Sequence, residues 1–329
     1  MAGNQALVSV IIPTFNRADF LKVAIESVLA QTYRHFELLI LDNYSSDHTP
    51  EIIDGFDDAR IKYIRHQCNF GGVVNWIHGI YCSKGEYLSI LCDDDFYKPN
   101  FLSSRINAFE RFKDIQAVFT DYEFCDEHGR VTATSKMSFD SETVTYGKKL
   151  LLCVLRHTWF LSATLFRREI VLRYWEDSIR AGKAADTSLK VRMSLDTTNL
   201  VVWMSNHSMV VRQHLNQDSK IGGKQVLYGH IAAFNEPLMF GNYTWSYRLL
   251  LKQGAAWAYD ILGRASWDEG EIKVARRSFL RQLSAFPLNV KIWLRLFRCY
   301  LPWMYPRPNM AVLCHGNGDC KSRTIKAET

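Results

Sequence analysis

Tyr87-Leu88-Ser89-Ile90-Leu91-Cys92-Asp93-Asp94-Asp95-Phe96-Tyr97-Lys98-Pro99 is the stretch on which the fold turns. It opens as a strand buried on both faces and closes on three adjacent carboxylates, with Pro99 setting the start of the next helix. Neighbouring carboxylates repel, so a fold avoids such a run unless a cation gathers it. Mg²⁺ or Mn²⁺ held by one or two carboxylates together with substrate phosphates is the usual arrangement. The plainer reading is an acidic surface turn ahead of a helix; the position directly after a buried strand favours the cation.

Upstream, apolar runs alternate with amphipathic stretches. Val8–Ile12 is a β-branched run closed by Pro13. Residues 18–32 place Phe20, Leu21, Ala24, Ile25, Val28 and Leu29 on one helical stripe, with Asp19 placed to cap it. Strands are predicted at Glu37–Leu41 and Ile61–Arg65, and helices at Thr49–Phe56 and Val73–Cys82. Such alternation predicts an α/β fold with a mostly parallel sheet and helices on both faces. Ligands of these sheets bind at the carboxyl ends of the strands. Asp42 and Asp93–Asp95 fall at two such ends, so they are expected to meet at one rim. There Asp42 is suited to accept from a uracil-like base or a ribose hydroxyl, while Asp47 and Thr49 read as helix caps.

Downstream the reading gives a helix at 100–113, strands at 116–121 and 161–167, a helix near 185–194 and a strand at 199–204. Beyond about 225 the pattern is helical. Two glycines and polar residues in 216–224 place a boundary there: a catalytic domain over 1–220, a helical region over 221–308, and a tail over 309–329 that reads as disordered. Cys314, His315 and Cys320 in that tail do not have the spacing of a zinc site.

The 329 residues are 47% hydrophobic and carry a net charge of +6, enough apolar residues for a sizeable core and too little charge to argue for nucleic acid. The N-terminus has no signal-peptide pattern, and no run of apolar residues reaches the roughly 18 of a membrane span. The eight cysteines are scattered without a CxxC pair, which suits buried thiols in a reducing compartment. The expected location is cytoplasmic.

The segments VSVIIPTFNRADFLKVAIESVLAQTYRHFELLILDNYSSDHT and NFGGVVNWIHGIYCSKGEYLSILCDDDFYKPNFL, in this order and spacing, resemble the opening of a family 2 glycosyltransferase. The resemblance covers most of residues 8–102 and implies the GT-A fold, a nucleotide-diphosphate sugar donor (a UDP-sugar favoured) and Mn²⁺ or Mg²⁺. It also implies that Pro13, Thr14, Phe15 and Asn16 line the nucleotide pocket, that Asp42 holds the base, and that Arg65 and Asn69 lie close to it. Asp93 is expected at the ribose or the metal, Asp94 as the main metal ligand and Asp95 beside it. Two positions depart from the family pattern: Asn43, where a second acid is frequent, and Cys92, where the first acid of the motif often stands.

The second half resembles the family more weakly. Ser162–Arg168 is similar to the strand before the acceptor site, and Ala185–Arg192 to the place of the catalytic acid, with the usual acidic pair reduced to Asp186. Asp186 is the expected base of an inverting transfer, with Asp177 and Asp196 as competitors and a helix N-cap as the structural alternative. Arg212-Gln213-His214 matches an Arg-x-His that brings His214 to the diphosphate or metal. Trp267 onward, through Pro287, resembles the helical hairpin that follows the catalytic domain in bacterial relatives. Between Arg264 and Pro308 nine Lys/Arg stand against three Asp/Glu. The aromatic, basic stretch 291–303 fits either a peripheral contact at the inner face of the plasma membrane or a core-packing helix. A glycan or lipid-linked oligosaccharide acceptor would accord with the former. The rival classes are a nucleotidyltransferase, disfavoured because Pro13–Arg17 has no glycine, and a non-catalytic protein that binds nucleotide or glycan.

Overall fold

The computed structural model describes residues 5–135, 142–156, 159–215, 217 and 223–300. The strands are β1 Val8–Thr14, β2 Phe36–Asp42, β3 Ile61–Arg65, β4 Tyr87–Ile90, β5 Phe96–Tyr97, β6 Ile115–Thr120, β7 Glu123–Cys125, β8 Val131–Thr134, β9 Thr143–Thr145, β10 Thr164–Arg167, β11 Leu200–Met204 and β12 Met209–Arg212. Seven helices accompany them: α1 Ala18–Leu29, α2 Thr49–Asp54, α3 Gly72–Cys82, α4 Phe101–Arg111, α5 Gly147–Arg156, α6 Arg168–Ser178 and α7 Ala185–Leu195. Among the described residues the chain then continues as helices Gly223–Phe240, Trp245–Asp268, Ile272–Leu283 and Val290–Tyr300.

Eight strands form one sheet in the order β3-β2-β1-β4-β10-β6-β11-β9. The pairs β1–β2, β1–β4, β2–β3 and β6–β11 are parallel, whereas β10 runs antiparallel to both its neighbours and β9 closes the edge antiparallel to β11. Every residue of β1, β2 and β4 is buried, because helices cover both faces and leave no solvent side for polar alternation. A smaller sheet, β5-β12-β7-β8, stands beside it.

Register fixes the rim. Thr14 of β1 lies opposite Asp42 of β2, and Asp42 opposite Arg65 of β3. On the other side the Leu91 amide donates to the Ile11 carbonyl at 2.9 Å, which brings the Asp93–Asp95 run to the same edge. Buried polar groups lock these elements. Glu37 accepts from Ser9 Oγ at 2.6 Å and from the Lys84 amide at 2.6 Å, tying the first two strands to the turn before β4. Arg105, fully buried, donates to Ser208 Oγ at 2.8 Å and to the Ala163 carbonyl at 3.1 Å, and it also bonds Thr120. One guanidinium thereby joins α4 to both sheets.

Two local expectations are corrected. Asp19 does not cap α1; its carboxylate faces solvent 3.3 Å from His48. The cap comes from Asp47, which accepts from the Ala18 amide and the Thr49 amide, each at 3.1 Å, so one side chain serves the starts of α1 and α2. The strand read at 161–167 begins only at Thr164, after a 3₁₀ turn over Leu161–Ala163.

In the last helix Ile292, Leu296 and Cys299 pack on Ala275, Phe279 and Leu283. Trp293, Leu294, Phe297 and Tyr300 form a second apolar stripe that stays exposed. No described helix is long and apolar enough to cross a membrane. The tail 309–329 and the end of the 291–303 stretch lie outside the described residues.

Candidate active site

A cleft of ≈ 1290 Å³ opens at the carboxyl rim of the sheet, and Pro13, Thr14, Phe15, Asn69 and Asp93–Asp95 all line it. The acidic run sits on its floor, with Asp93, Asp94 and Asp95 only 5–7% exposed. Thr14 Oγ1 donates to Asp93 at 2.8 Å. Arg17 bridges two of the acids, its Nη1 donating to Asp93 at 3.0 Å and to Asp94 at 3.1 Å. His214 Nε2 lies 3.0 Å from the same Asp94 oxygen. The Arg212 amide donates to Asp95 at 3.1 Å and its guanidinium to the Asp94 carbonyl at 3.1 Å.

Burial pushes the Asp93 carboxyl up to about 6, against the pull of Arg17 and with a further push from Asp94. Burial, then the Asp94 charge, holds Asp95 well above the usual carboxylate range, and burial raises the Cys92 thiol. Acids gathered this closely and kept from water are costly unless a cation joins them. The donor set fits one. Among the described residues, Cys92, Asp94 and Asp95 bring ligand atoms within 4.8 Å of one another. Cys92 is thus part of the cluster, although the resemblance marked it only as a missing acid.

The remaining expected residues divide. Asn69 lines the cleft, where Asn43 Nδ2 donates to its side-chain oxygen at 2.8 Å while Asn43 Oδ1 accepts from the Phe70 amide at 2.9 Å. That two-way role needs an amide, which accounts for Asn43 standing where an acid is frequent. Asp42 is fully buried and is not among the cleft-lining residues. It accepts from Tyr63 Oη at 2.7 Å and from the Ser45 amide at 2.8 Å, with Arg65 Nε at 3.4 Å. Arg65 and Asn16, both exposed, are likewise not among the cleft-lining residues: Arg65 donates to the Ser45 carbonyl at 2.7 Å, and Asn16 Oδ1 accepts from the Ser46 amide at 2.7 Å. Asn16 (φ 54°) and Tyr44 (φ 72°) hold left-handed backbone at this rim, a conformation unusual outside glycine.

Asp186 lines the same cleft from the first turn of α7. It makes no N-cap bond; Lys190, one turn on, donates to it at 2.8 Å and to the Trp159 carbonyl at 2.5 Å. Burial raises Asp186, but the Lys190 charge and hydrogen bond outweigh it and hold the carboxyl below its ordinary range. The competitors are spent elsewhere, Asp177 on Arg192 at 3.3 Å and Asp196 on Tyr174 at 2.8 Å.

The sequence pattern described as "Glycosyl transferase family 2" matches residues 9–175, just over half of the chain. The chain belongs to that family. As a family 2 member it falls among the transferases, as its opening segments implied. It is 37% identical over 123 residues to an uncharacterised glycosyltransferase of Rickettsia typhi, a match that covers 37% of this chain and 38% of that protein's own length. Its fold is that of S. aureus TarS 1–349, solved with UDP-GlcNAc (TM-score 0.68, 14% identity, 89% of this chain and 87% of that one). The mannosyltransferase PcManGT of Pyrobaculum calidifontis, solved with GDP-Man and Mn²⁺, shares it as well (TM-score 0.55, 14% identity, 92% and 88%). The mostly parallel α/β sheet expected from the alternating strands and helices, and the GT-A architecture that the resemblance implied, are thereby borne out.

For a family 2 chain, four cleft groups escaped the sequence reading. Arg17 sat in plain view after Pro13–Asn16, but nothing local says that a guanidinium there reaches acids more than seventy residues away. Lys190 lies within the Ala185–Arg192 segment, where its i+4 spacing from Asp186 is the available signal. His230 and Trp257, in the C-terminal helices, carried none.

Proposed function

We propose that this chain transfers a glycosyl group from a nucleotide-diphosphate sugar, a UDP-sugar favoured, to a hydroxyl of a glycan or lipid-linked oligosaccharide, with inversion at the anomeric carbon. The single observation that carries the reading is that the buried Asp93–Asp95 cluster and Asp186 line one cleft at the sheet's carboxyl rim. TarS, solved with UDP-GlcNAc, and PcManGT, solved with GDP-Man and Mn²⁺, share the fold and support a nucleotide-sugar donor.

In this reading Asp94 and Asp95, with Cys92 beside them, would hold Mn²⁺ or Mg²⁺. An ion held there would supply charge neutralisation for the departing nucleoside diphosphate, worth several kcal/mol. Thr14 and Arg17 fix Asp93 at the ribose side, and Arg17 and His214 orient Asp94. Pro13, Phe15 and Asn69 wall the nucleotide, while Asp42, Asn16 and Arg65 hold the 43–46 loop in shape through Ser45 and Ser46. Asp186 takes the acceptor proton as the hydroxyl attacks. Pairing with Lys190 keeps it ionised at neutral pH and weakens its proton affinity, so the proton leaves late in the displacement.

The working division is a catalytic domain over 1–220 and a helical region over 221–308. The exposed stripe Trp293, Leu294, Phe297 and Tyr300, interleaved with Lys291, Arg295 and Arg298, supports a peripheral contact with an anionic membrane surface on the cytoplasmic side.

Thermal unfolding with UDP, GDP, dTDP and CDP, each with and without Mn²⁺, tests the donor site. A nucleotide at about 100 times its dissociation constant stabilises by roughly 2.7 kcal/mol, a shift of a few degrees in a chain of this size. A Mn²⁺-dependent shift with one nucleotide, absent in Asp94→Ala, is the expected result. No shift with any of the four would overturn the reading.

A further inference from the structure

The family pattern ends at residue 175, but the cleft continues. Its far wall is built by the helices Gly223–Phe240 and Trp245–Asp268, which present His230, Phe234, Gln253 and Trp257. His230 and Phe234 are four residues apart, as are Gln253 and Trp257, so each pair shares one helix face.

The wall is set by close backbone packing. A Cβ on Gly254 would stand 2.5 Å from the Phe234 ring, and one on Gly229 would stand 2.4 Å from the Ala181 carbonyl oxygen. Both glycines therefore permit approaches that any side chain would block, and they fix the two helices against each other and against the 3₁₀ segment Ile179–Ala184 before α7. Phe234 itself belongs to the core with Leu151, Val191, Leu251 and Ala255.

Two groups on this wall have no packing role that explains them. Trp257 is 53% exposed although it lines the cleft, its ring edge-on to His230 at 5.6 Å between centroids. His230 Nδ1 is buried with no hydrogen-bond partner among the described residues. The imidazole is also close enough to Asp186 and Lys190 to feel both charges. A half-bare indole beside an amide and an unpaired imidazole matches a pyranose, which offers an apolar C–H face and a rim of hydroxyls.

We propose that this wall is the acceptor subsite: a sugar ring stacks on Trp257, hydrogen-bonds Gln253 and His230, and so presents a hydroxyl toward Asp186. The proposal rests on the transferase reading above and adds to it which residues receive the acceptor. It also assigns the C-terminal helices a share in the site beyond the part of the chain that carries the family pattern.

The test is ligand-observed saturation-transfer NMR with methyl glycosides (α- and β-glucoside, β-galactoside, β-N-acetylglucosaminide) in the presence of UDP and Mn²⁺. Wild type, Trp257→Ala and Gln253→Ala are compared, and the nucleotide-induced thermal shift is read on the same samples. Wild type should saturate the ring protons of at least one glycoside. Trp257→Ala should weaken that signal at least about tenfold and Gln253→Ala by less, with the UDP shift unchanged in both. Glycoside signal absent from wild type despite a UDP shift overturns the acceptor wall alone, as does equal signal in wild type and both variants. Absence of a thermal shift in wild type with UDP, GDP, dTDP and CDP alike overturns the transferase reading and this wall with it.

Discussion

The two ends of the cleft are built by different means. At the end proposed for the donor, residues 8–102 deliver most polar groups from just beyond strand ends, with Arg212 and His214 added from the end of β12. Neighbouring strands in register bring Thr14, Asp42 and the acidic run to one edge. At the far end, Asp186, Lys190, His230 and Trp257 come from three helices that meet only because the chain has folded back over them. Strand ends need particular residue types at particular spacings, whereas a helical wall needs only that apolar stripes match. Chemistry at the first end is therefore local in sequence, and at the second it is the outcome of packing.

If the ends have separate duties, variants should separate them. The largest effect is expected from Asp94→Ala. Losing the ligand shared by Arg17 and His214 removes a charge-neutralising interaction of several kcal/mol, so transfer should fall by about 10³-fold or more, with Mn²⁺-dependent nucleotide binding lost. Steady-state transfer and nucleotide titration read both. Asp186→Asn should come next, lowering kcat by about 10²–10⁴-fold while leaving nucleotide affinity alone. An equal loss of nucleotide affinity would break the division.

Arg17→Met removes the guanidinium that bridges Asp93 and Asp94. A partner of metal-binding groups typically matters 10–100-fold, so Mn²⁺ affinity, followed by calorimetry, should shift by about that factor. Its direction sharpens the picture, because a bridging cation that merely competed with the ion would yield tighter binding when removed. Lys190→Met should have the smallest effect and a particular sign. Burial raises Asp186 and Lys190 lowers it, so removing Lys190 lets the carboxyl rise. The acid limb of the pH profile of kcat/KM should then move to higher pH, with activity near the alkaline side least changed.

Legibility in the sequence follows the same divide. Val8–Ile12, Glu37–Leu41 and Tyr87–Cys92 were readable as strands because burial on both faces forces continuous apolar runs. Their ends therefore located Thr14 and the Asp93–Asp95 cluster. Three-residue strands such as Glu123–Cys125 and Thr143–Thr145 were not, since so short a segment takes its conformation from its partners. Asp42 shows a limit of another kind: its place at the rim was foreseen, but Tyr63, Ser45 and Arg65 turn it inward. Which way a carboxylate faces depends on neighbours that one strand end does not reveal. Asp186 has the sequence position of a helix cap, but its carboxylate pairs with Lys190 one turn on and lines the cleft.

Calorimetric titration of UDP with Mn²⁺ into Asp94→Ala and Asp186→Asn, side by side with wild type, tests the division most directly. The account predicts wild-type affinity in Asp186→Asn and no measurable Mn²⁺-dependent binding in Asp94→Ala. Comparable affinities in all three proteins, or equal losses in both variants, would contradict it.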